Sequence, residues 1–242
     1  MKKIIAHRGF SSKYPENTLL AFERAVAAGA DGAELDVQLS ADGVPVVFHD
    51  ETLKRITGDD LLIKDLTLRE LKTLDVSYTF YGQCPVQRIP TLEEYFALVQ
   101  GLDFLNVIEL KTAYCEYPGI EEKVLALIDA FRLNDRVILS SFNHYTLLRF
   151  QRLAPDLPYG ILYACRLAEP QRYAEALGMQ YLHPDYRFLN DQELAKYEAA
   201  GVKTNPWTVD DPKAIRYLLG QKNVFAIITN KPDAAMALRS GK

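Results

Sequence analysis

The chain has 242 residues, of which 48% are hydrophobic, and its formal net charge at pH 7 is −4. This composition excludes an intrinsically disordered chain, because enough apolar residues are present to form a large core. The sequence contains no block of lysine or arginine, which argues against a nucleic-acid-binding surface. The length exceeds what one β-sandwich needs and matches a single (β/α)8 barrel of about 250 residues.

Two features favour a cytoplasmic protein. Cys84, Cys115 and Cys165 are widely separated and form no Cys-x-x-Cys pair, which is typical of free thiols in a reducing compartment. The apolar run near the start of the chain ends at Ala6, too early for the core of a signal peptide. No stretch approaches the ~20 apolar residues that span a bilayer. We therefore expect a soluble intracellular protein.

Short apolar runs alternate with amphipathic segments from one end of the chain to the other. The runs that predict strands are residues 3–7, 32–37, 105–111, 137–141, 160–163, 180–184, 202–209 and 224–229. The segments that predict helices are residues 18–28, 92–99, 121–133, 145–153, 169–177, 191–200, 212–219 and 232–238. In 121–133, for example, Val124, Leu127, Ile128 and Phe131 recur at the spacing of one buried helix face.

Eight strands that alternate with eight helices favour a parallel sheet, and closure of that sheet into a barrel removes its edges. We predict an α/β fold, a TIM (β/α)8 barrel formed by residues 1–242 as one domain, with an open doubly wound sheet as the alternative. A ninth run, 44–48, follows a tight turn and is expected to return antiparallel to the second strand as a flap. Residues 51–90, with one short helical piece at 68–74, predict a small insertion over the active-site face.

Asp42 and Gly43 are a strong signal for a two-residue hairpin turn between the second strand and this flap. If they occupy the centre of the turn, residues that face each other have numbers with the same sum as 42 and 43, which is 85. Position 36 then faces position 49. The turn is therefore expected to place His49 directly beside Asp36.

Polar residues gather at the carboxyl ends of the predicted strands, where barrels of this type build their active sites. These residues are His7, Arg8, Glu34, Asp36, His49, Asp50, Glu109, Lys111, Ser140, Ser141, His183 and Trp207. Glu34 and Asp36 are two positions apart, so they lie on one face of their strand. Three carboxylates inside a barrel repel one another unless a cation is present, which predicts a hard, oxygen-preferring ion such as Mg²⁺ or Ca²⁺.

Several polar residues in and near this group also suit purely structural roles. Asn17 is a good N-cap for the helix that follows it. Trp207 is suited to packing at the barrel mouth. We expect His144 and His183 to be hydrogen-bonded structural residues without a chemical role. The joint placement of the others at strand ends, rather than any single motif, favours a catalytic site.

Several motifs follow one another along the chain: His7-Arg8-Gly9, Pro15-Glu16-Asn17-Thr18, Glu34-Leu35-Asp36-Val37, Asp42-Gly43, residues 46–50, Leu53-Lys54-Arg55, Pro90-Thr91-Leu92-Glu93-Glu94, residues 108–111, Ser141-Phe142 and Trp207-Thr208-Val209. In this order, and over essentially the whole chain, they resemble the glycerophosphodiester phosphodiesterase family. The resemblance implies a TIM barrel that uses a divalent cation to cleave glycerophosphodiesters to glycerol 3-phosphate and an alcohol. It also identifies residues 51–90 as the family's small insertion over the site.

The resemblance assigns roles to individual residues. It implies metal ligation by Glu34, Asp36 and Glu109, acid–base roles for His7 and His49, and phosphate contacts from Arg8 and Lys111. We also assign Trp207 to the substrate pocket. We take His7 as the base and His49 as the acid, although the sequence hardly distinguishes them. The expected partner is a small-molecule glycerophosphodiester.

Two positions depart from the family pattern. The last strand ends in Thr229-Asn230, where the family usually has Thr-Asp, and Phe225 lies where an acidic residue is often found. We expect these changes to affect local packing and the substrate rim, not the metal or the histidines. Two alternative functions remain open, a Schiff-base aldolase that uses Lys111 and a non-catalytic headgroup-binding relative.

Overall fold

A computed structural model describes residues 1–241, and its centre is a nine-stranded sheet. The strands are β1 (Lys3–His7), β2 (Gly32–Leu39), β3 (Pro45–Val47), β4 (Leu105–Leu110), β5 (Val137–Ser141), β6 (Tyr159–Tyr163), β7 (Tyr181–Pro184), β8 (Lys203–Thr204) and β9 (Ala226–Thr229). Eight of them are parallel, in the order β8-β7-β6-β5-β4-β2-β1-β9, and a parallel bridge between Thr204 and Val224 links the two ends. The predicted TIM barrel is confirmed, and the open sheet is wrong.

The helices of the described residues surround this barrel or lie in the segment after β3. They are α1 (Leu19–Ala27), α2 (Lys54–Thr57), α3 (Leu68–Leu71), α4 (Leu92–Val99), α5 (Ile120–Ala130), α6 (His144–Leu153), α7 (Pro170–Ala176), α8 (Asp191–Ala199), α9 (Pro212–Leu219) and α10 (Pro232–Arg239). All eight predicted helices are present, and their ends differ from the prediction by at most three residues. Within residues 1–241, no helix is long and apolar enough to cross a membrane.

Alternate residues of the parallel strands point outward to the helices and inward to the barrel axis. Inside the barrel, Ile5, Val107, Ile138 and Ile228 form an apolar layer. The next inward positions along these strands carry polar side chains. The strand register aligns them at one level, since His7 pairs with Glu34, Asp36 with Glu109, and Glu109 with Ser140. The carboxyl end of the barrel is therefore polar above an apolar floor.

The flap strand β3 is antiparallel to β2, as predicted, but its predicted register is wrong by one residue. Facing residues have numbers that sum to 84, as 37 and 47 do. The loop has three residues, 41–43, and ends with Gly43 in the left-handed conformation at φ 75°. Asp36 consequently faces Phe48, and the N–H of Phe48 donates to the backbone carbonyl oxygen of Asp36. His49 lies just beyond the paired residues, so it reaches the site from the end of the flap.

Residues between β3 and α4 form a small layer with its own apolar cluster. Besides α2 and α3 it contains two 3₁₀ turns, Ile63–Asp65 and Tyr78–Phe80. The cluster consists of Val46, Phe48, Leu53, Ile56, Ile63, Leu71, Val76 and Ile89. Because two of these residues, Val46 and Phe48, belong to the flap, the segment is packed onto the flap.

Candidate active site

Three buried carboxylates converge at the carboxyl end of the barrel. Glu34 and Asp36 extend from β2 and Glu109 from β4, and one oxygen of each lies within 4.8 Å of the other two. The register brings Asp36 beside Glu109, and the two-residue spacing places Glu34 on the same face. The predicted cluster is thus formed by the fold, and we call it the carboxylate triad.

The triad carries an electrostatic conflict. Burial, together with the neighbouring carboxylates, raises the pKa of Glu34 well above its ordinary value. Burial and Asp36 also raise the pKa of Glu109. Burial opposes ionisation of Asp36 as well, but His49 and the nearby cationic side chains outweigh it and lower the pKa of Asp36. Three negative charges are therefore unfavourable here without a further cation.

The donor set fits a hard divalent cation, which prefers oxygen ligands. Within the described part of the chain, Oδ1 of Asp36 has no hydrogen-bond partner although it is buried. The other oxygen, Oδ2, accepts a hydrogen bond of 2.8 Å from Nδ2 of Asn17. Asn17 is therefore a support for the triad, and the residue that caps α1 is Thr18, not Asn17 as the sequence suggested.

Two largely buried cationic side chains border the triad. Nε of Arg8 lies 3.4 Å from Oδ2 of Asp36, and Nζ of Lys111 lies 2.9 Å from Oε1 of Glu109. Burial disfavours both charges, yet the carboxylates raise the pKa of both side chains. A Schiff-base lysine needs a lowered pKa to supply a neutral amine, so the environment of Lys111 disfavours the aldolase alternative.

The turn after β1 explains the His-Arg-Gly motif. Arg8 has φ 54° and Gly9 has φ 80°, both in the left-handed region that side chains rarely adopt. A Cβ atom on Gly9 would lie 2.7 Å from the backbone carbon of Ala21 in α1, so only glycine fits. The turn directs the N–H of Arg8 at Oε2 of Glu34, 3.1 Å away. The motif therefore holds the arginine and a triad carboxylate together.

The two predicted catalytic histidines have different partners. Nδ1 of His7 lies 2.7 Å from Oδ1 of Asn230, which is a neutral amide oxygen. Nδ1 of His49 lies 2.5 Å from Oδ1 of Asp50, which is a carboxylate oxygen. Burial, with a neighbouring guanidinium, lowers the pKa of His7 to about 4. His7 is therefore neutral at pH 7.

A chain of ion pairs connects His49 to Arg8 through the segment after β3. Asp50 accepts a hydrogen bond of 2.7 Å from Nε of Arg55. Nη2 of Arg55 donates to Glu16 at 2.7 Å, and Glu16 accepts another hydrogen bond of 2.9 Å from Nη1 of Arg8. This network links both sides of the site. It also gives a structural role to Arg55, the arginine of the Leu53-Lys54-Arg55 motif.

A cavity of about 230 Å³ lies at the same end of the barrel. It is lined by His7, Arg8, Glu34, His49, Glu109, Ser140, Phe142, Leu162, His183, Trp207 and Ile228. A larger depression of about 720 Å³, bordered by Lys2 and Lys203, lies at the opposite end, far from the triad. The smaller cavity is therefore the candidate substrate pocket, because it is lined by residues of the triad and by both histidines.

His183 and Phe142, to which the sequence assigned no role in the site, both border the cavity. Nε2 of His183 lies 3.0 Å from Nδ2 of Asn205, while its buried Nδ1 has no partner among residues 1–241. Phe142 packs edge-to-face on Trp207 with ring centres 5.6 Å apart. The available signal for His183 was its place at a strand end. His144, by contrast, lies outside the cavity lining and bonds to a backbone carbonyl and a tyrosine hydroxyl.

The two departures from the family pattern lie at opposite ends of the barrel. Phe225 packs on Tyr181 and Lys203 at the amino end, so its effect is on local packing, as expected. Asn230 instead contacts His7 directly. The expectation that this change leaves the histidines untouched is wrong, because the end of β9 lies beside the end of β1 in the closed barrel.

Known proteins match this chain over nearly its whole length. The model of the glycerophosphoryl diester phosphodiesterase family matches residues 7–234. A glycerophosphodiester phosphodiesterase from Caldanaerobacter subterraneus subsp. tengcongensis is 44% identical over 235 residues, which cover 97% of this chain and 96% of the relative.

Solved structures give the same result. A glycerophosphodiester phosphodiesterase from Agrobacterium tumefaciens superposes with a TM-score of 0.84 at 28% identity, covering 98% of this chain and 100% of that one. An Oleispira antarctica phosphodiesterase in complex with the product sn-glycerol-3-phosphate gives a TM-score of 0.85 at 31% identity, covering 99% and 97%. With its motifs, barrel and near-complete matches in agreement, the chain belongs to the glycerophosphoryl diester phosphodiesterase family.

Proposed function

We propose that this phosphodiesterase cleaves glycerophosphodiesters to glycerol 3-phosphate and an alcohol with the help of one divalent cation, Mg²⁺ or Ca²⁺, held by the carboxylate triad. The observation that carries the proposal is the convergence of three buried carboxylates within 4.8 Å in a cavity that two histidines and an arginine also border. The Oleispira antarctica relative, which was solved with sn-glycerol-3-phosphate, supports the product.

The residues around the triad divide the chemical work. When bound, the cation supplies Lewis-acid stabilisation of the charge that develops on the phosphoryl oxygens. Arg8 and Lys111 hold the remaining phosphoryl oxygens by charge-assisted hydrogen bonds. His7 takes the proton of the attacking hydroxyl group as its oxygen bonds to phosphorus, and His49 gives a proton to the oxygen of the alcohol whose bond to phosphorus breaks. Where the attacking group is the glycerol hydroxyl, a water molecule then opens the cyclic phosphate and releases glycerol 3-phosphate.

The partners of the two rings support this assignment of base and acid. Burial lowers the pKa of His7, and the amide oxygen of Asn230 accepts from Nδ1, so Nε2 retains a lone pair that can accept a proton. The carboxylate of Asp50 accepts a hydrogen bond from Nδ1 of His49 and holds the ring so that it can donate a proton from Nε2. Arg55 holds that carboxylate in place through two hydrogen bonds.

We propose Trp207 and Phe142 as the apolar side of the substrate pocket. Nε1 of Trp207 donates to the carbonyl oxygen of His183 at 2.8 Å, which orients the indole ring. The leaving alcohol departs towards solvent and the segment 51–90, so its identity matters little. The glycerol hydroxyl next to the phosphorus ester lies towards the triad, so its presence matters greatly.

We also propose a cytoplasmic location and a role in glycerol and lipid metabolism. All three thiols, Cys84, Cys115 and Cys165, are free, as is usual in a reducing compartment. The substrate class supports the metabolic role.

The test is a panel of glycerophosphodiesters with detection of glycerol 3-phosphate, repeated with EDTA and with single metals added back. Glycerophosphocholine and glycerophosphoethanolamine should turn over within about tenfold of each other, a difference of about 1.4 kcal/mol in barrier. Chelation should abolish turnover, and Mg²⁺ or Ca²⁺ should restore it. Full turnover after exhaustive chelation would show that no cation is needed.

A second comparison tests the role of the glycerol hydroxyl. A 2-deoxy glycerophosphodiester should react far more slowly than its parent at saturating metal, by more than the headgroup spread. Equal rates for the two would show that the hydroxyl is neither the nucleophile nor essential for orientation.

A further inference from the structure

We propose that Asp210 and Asn230 form a positioning pair that holds His7 in the tautomer with its proton on Nδ1, so that the bare Nε2 faces the cavity. The proposal rests on the proposed role of His7 as the base. Neither Asp210 nor Asn230 is among the residues that line the cavity.

The first step is the orientation of the Asn230 amide. The carboxylate of Asp210 accepts hydrogen bonds from Oγ1 of Thr229 (2.9 Å), from the N–H of Asn230 (2.8 Å) and from Nδ2 of Asn230 (2.6 Å). A carboxylate that receives three donors acts only as an acceptor. The NH₂ group of Asn230 must therefore face Asp210, and Oδ1 must face away from it.

The second step is the tautomer of His7. Oδ1 of Asn230 lies 2.7 Å from Nδ1 of His7 and 2.8 Å from the hydroxyl of Ser11. A carbonyl oxygen cannot donate, so the proton of this hydrogen bond belongs to Nδ1. A neutral imidazole has one N–H, which leaves Nε2 bare. Nε2 lies 3.8 Å from Oε2 of Glu34, on the side of the triad.

The third step is the origin of this geometry in the fold. The N–H of Val209 donates to the carbonyl of Ile228, which ties the segment after β8 to β9. This contact places Asp210 beside Asn230 where the barrel closes. Position 230, where the family usually has an acidic residue, is Asn230 in this chain. The carboxylate of Asp210 bonds to Asn230, and Asn230 in turn bonds to His7, so the carboxylate reaches His7 only through the amide.

The experiment compares Asp210→Asn, Asn230→Asp and the double swap Asp210→Asn/Asn230→Asp in the full chain with Mg²⁺. The readouts are kcat and KM on glycerophosphocholine and the ¹⁵N spectrum of the histidine rings at neutral pH, with the His7 signals assigned from His7→Ala. Asp211→Asn is the matched control, because it makes the same change at the exposed N-cap of α9, away from His7.

Asp210→Asn removes the acceptor that orients the amide, so the Nε2–H tautomer of His7 should appear. Its kcat should fall by about tenfold with KM nearly unchanged, since a ring in the wrong tautomer cannot act as the base. Asn230→Asp places two carboxylates against each other and should also lose kcat. The double swap should recover to within about threefold of wild type, because the amide at 210 then donates to the carboxylate at 230, which again accepts from Nδ1.

Recovery in the double swap separates positioning from misfolding, because both altered side chains are still present in it. A double swap no more active than the weaker single variant would overturn the proposal. A wild-type His7 ring that carries its proton on Nε2 would overturn it too, whatever the turnover. A wild-type ring with the proton on Nδ1, in a protein whose turnover survives His7→Ala, would instead contradict the proposed base role alone.

Discussion

Replacement of Glu34 by glutamine should make the cation-free protein more stable while weakening cation binding. Two unit charges 4.8 Å apart repel by about 3.5 kcal/mol at an effective dielectric constant of about 20. Glu34 experiences this repulsion from both Asp36 and Glu109. Protonation of Glu34 and the nearby cations Arg8 and Lys111 offset most of it, so we expect a net gain of about 2 kcal/mol on removal of the charge.

Thermal unfolding in EDTA and in Mg²⁺ measures both effects. For a chain of this length, 2 kcal/mol corresponds to a rise of about 4–8 °C in Tm. A cation at a hundred times its Kd stabilises the wild type by about 2.7 kcal/mol, and Glu34→Gln should lose most of that increment. The variant should therefore be more stable than the wild type in EDTA, and this advantage should largely disappear in saturating Mg²⁺.

The difference in EDTA should depend on pH. The pKa of Glu34 is raised in the folded protein, so the folded state binds more protons than the unfolded one above pH ~4.3. The contribution of Glu34 to wild-type stability is therefore fully present below that pH and is lost as pH rises through the raised pKa. Glu34→Gln lacks this loss, so its advantage should grow with pH.

Glu175→Gln is the matched control, because Glu175 is exposed on α7 and its change should leave Tm unaltered in both buffers. The reasoning is refuted if Glu34→Gln is less stable than the wild type in EDTA at neutral pH. It is also refuted if Mg²⁺ stabilises the variant as much as it stabilises the wild type.

Three further outcomes are expected. Cation affinity, measured by calorimetry, should increase with pH because the triad must lose protons to bind; an affinity that is flat with pH would contradict the raised pKa values. His7→Ala and His49→Ala should each lower kcat by about 10²–10⁴, while His144→Ala should cost far less; the reverse order would misplace the site. Gly9→Ala should lower the free energy of unfolding by about 3 kcal/mol or more in urea, because of its positive φ and the backbone of α1.

The periodicity of apolar residues was sufficient to predict the barrel and its eight outer helices, because each strand and helix buries one local, regular face. The prediction failed for the register between β2 and β3, which depends on the length and geometry of the turn that joins them. The Asp42-Gly43 pair permits both a two-residue and a three-residue loop, and in the fold, where β3 packs against the segment after it, the loop has three residues. The strand predicted over 202–209 is confined to Lys203–Thr204, and Pro206 within the predicted range has no N–H to donate.

The sequence by itself determined which polar residues gather at the carboxyl end of the barrel. Strand ends and two-residue spacing place the triad, His7, Arg8 and Lys111 together, because a parallel barrel brings all its carboxyl ends to one side. Only the tertiary structure decided what each of those groups contacts. The Asn230–His7 hydrogen bond joins residues 223 positions apart, and it exists because β1 and β9 are neighbours in the closed sheet. Hydrogen-bond partners of this kind are set by three-dimensional adjacency, which no local spacing encodes.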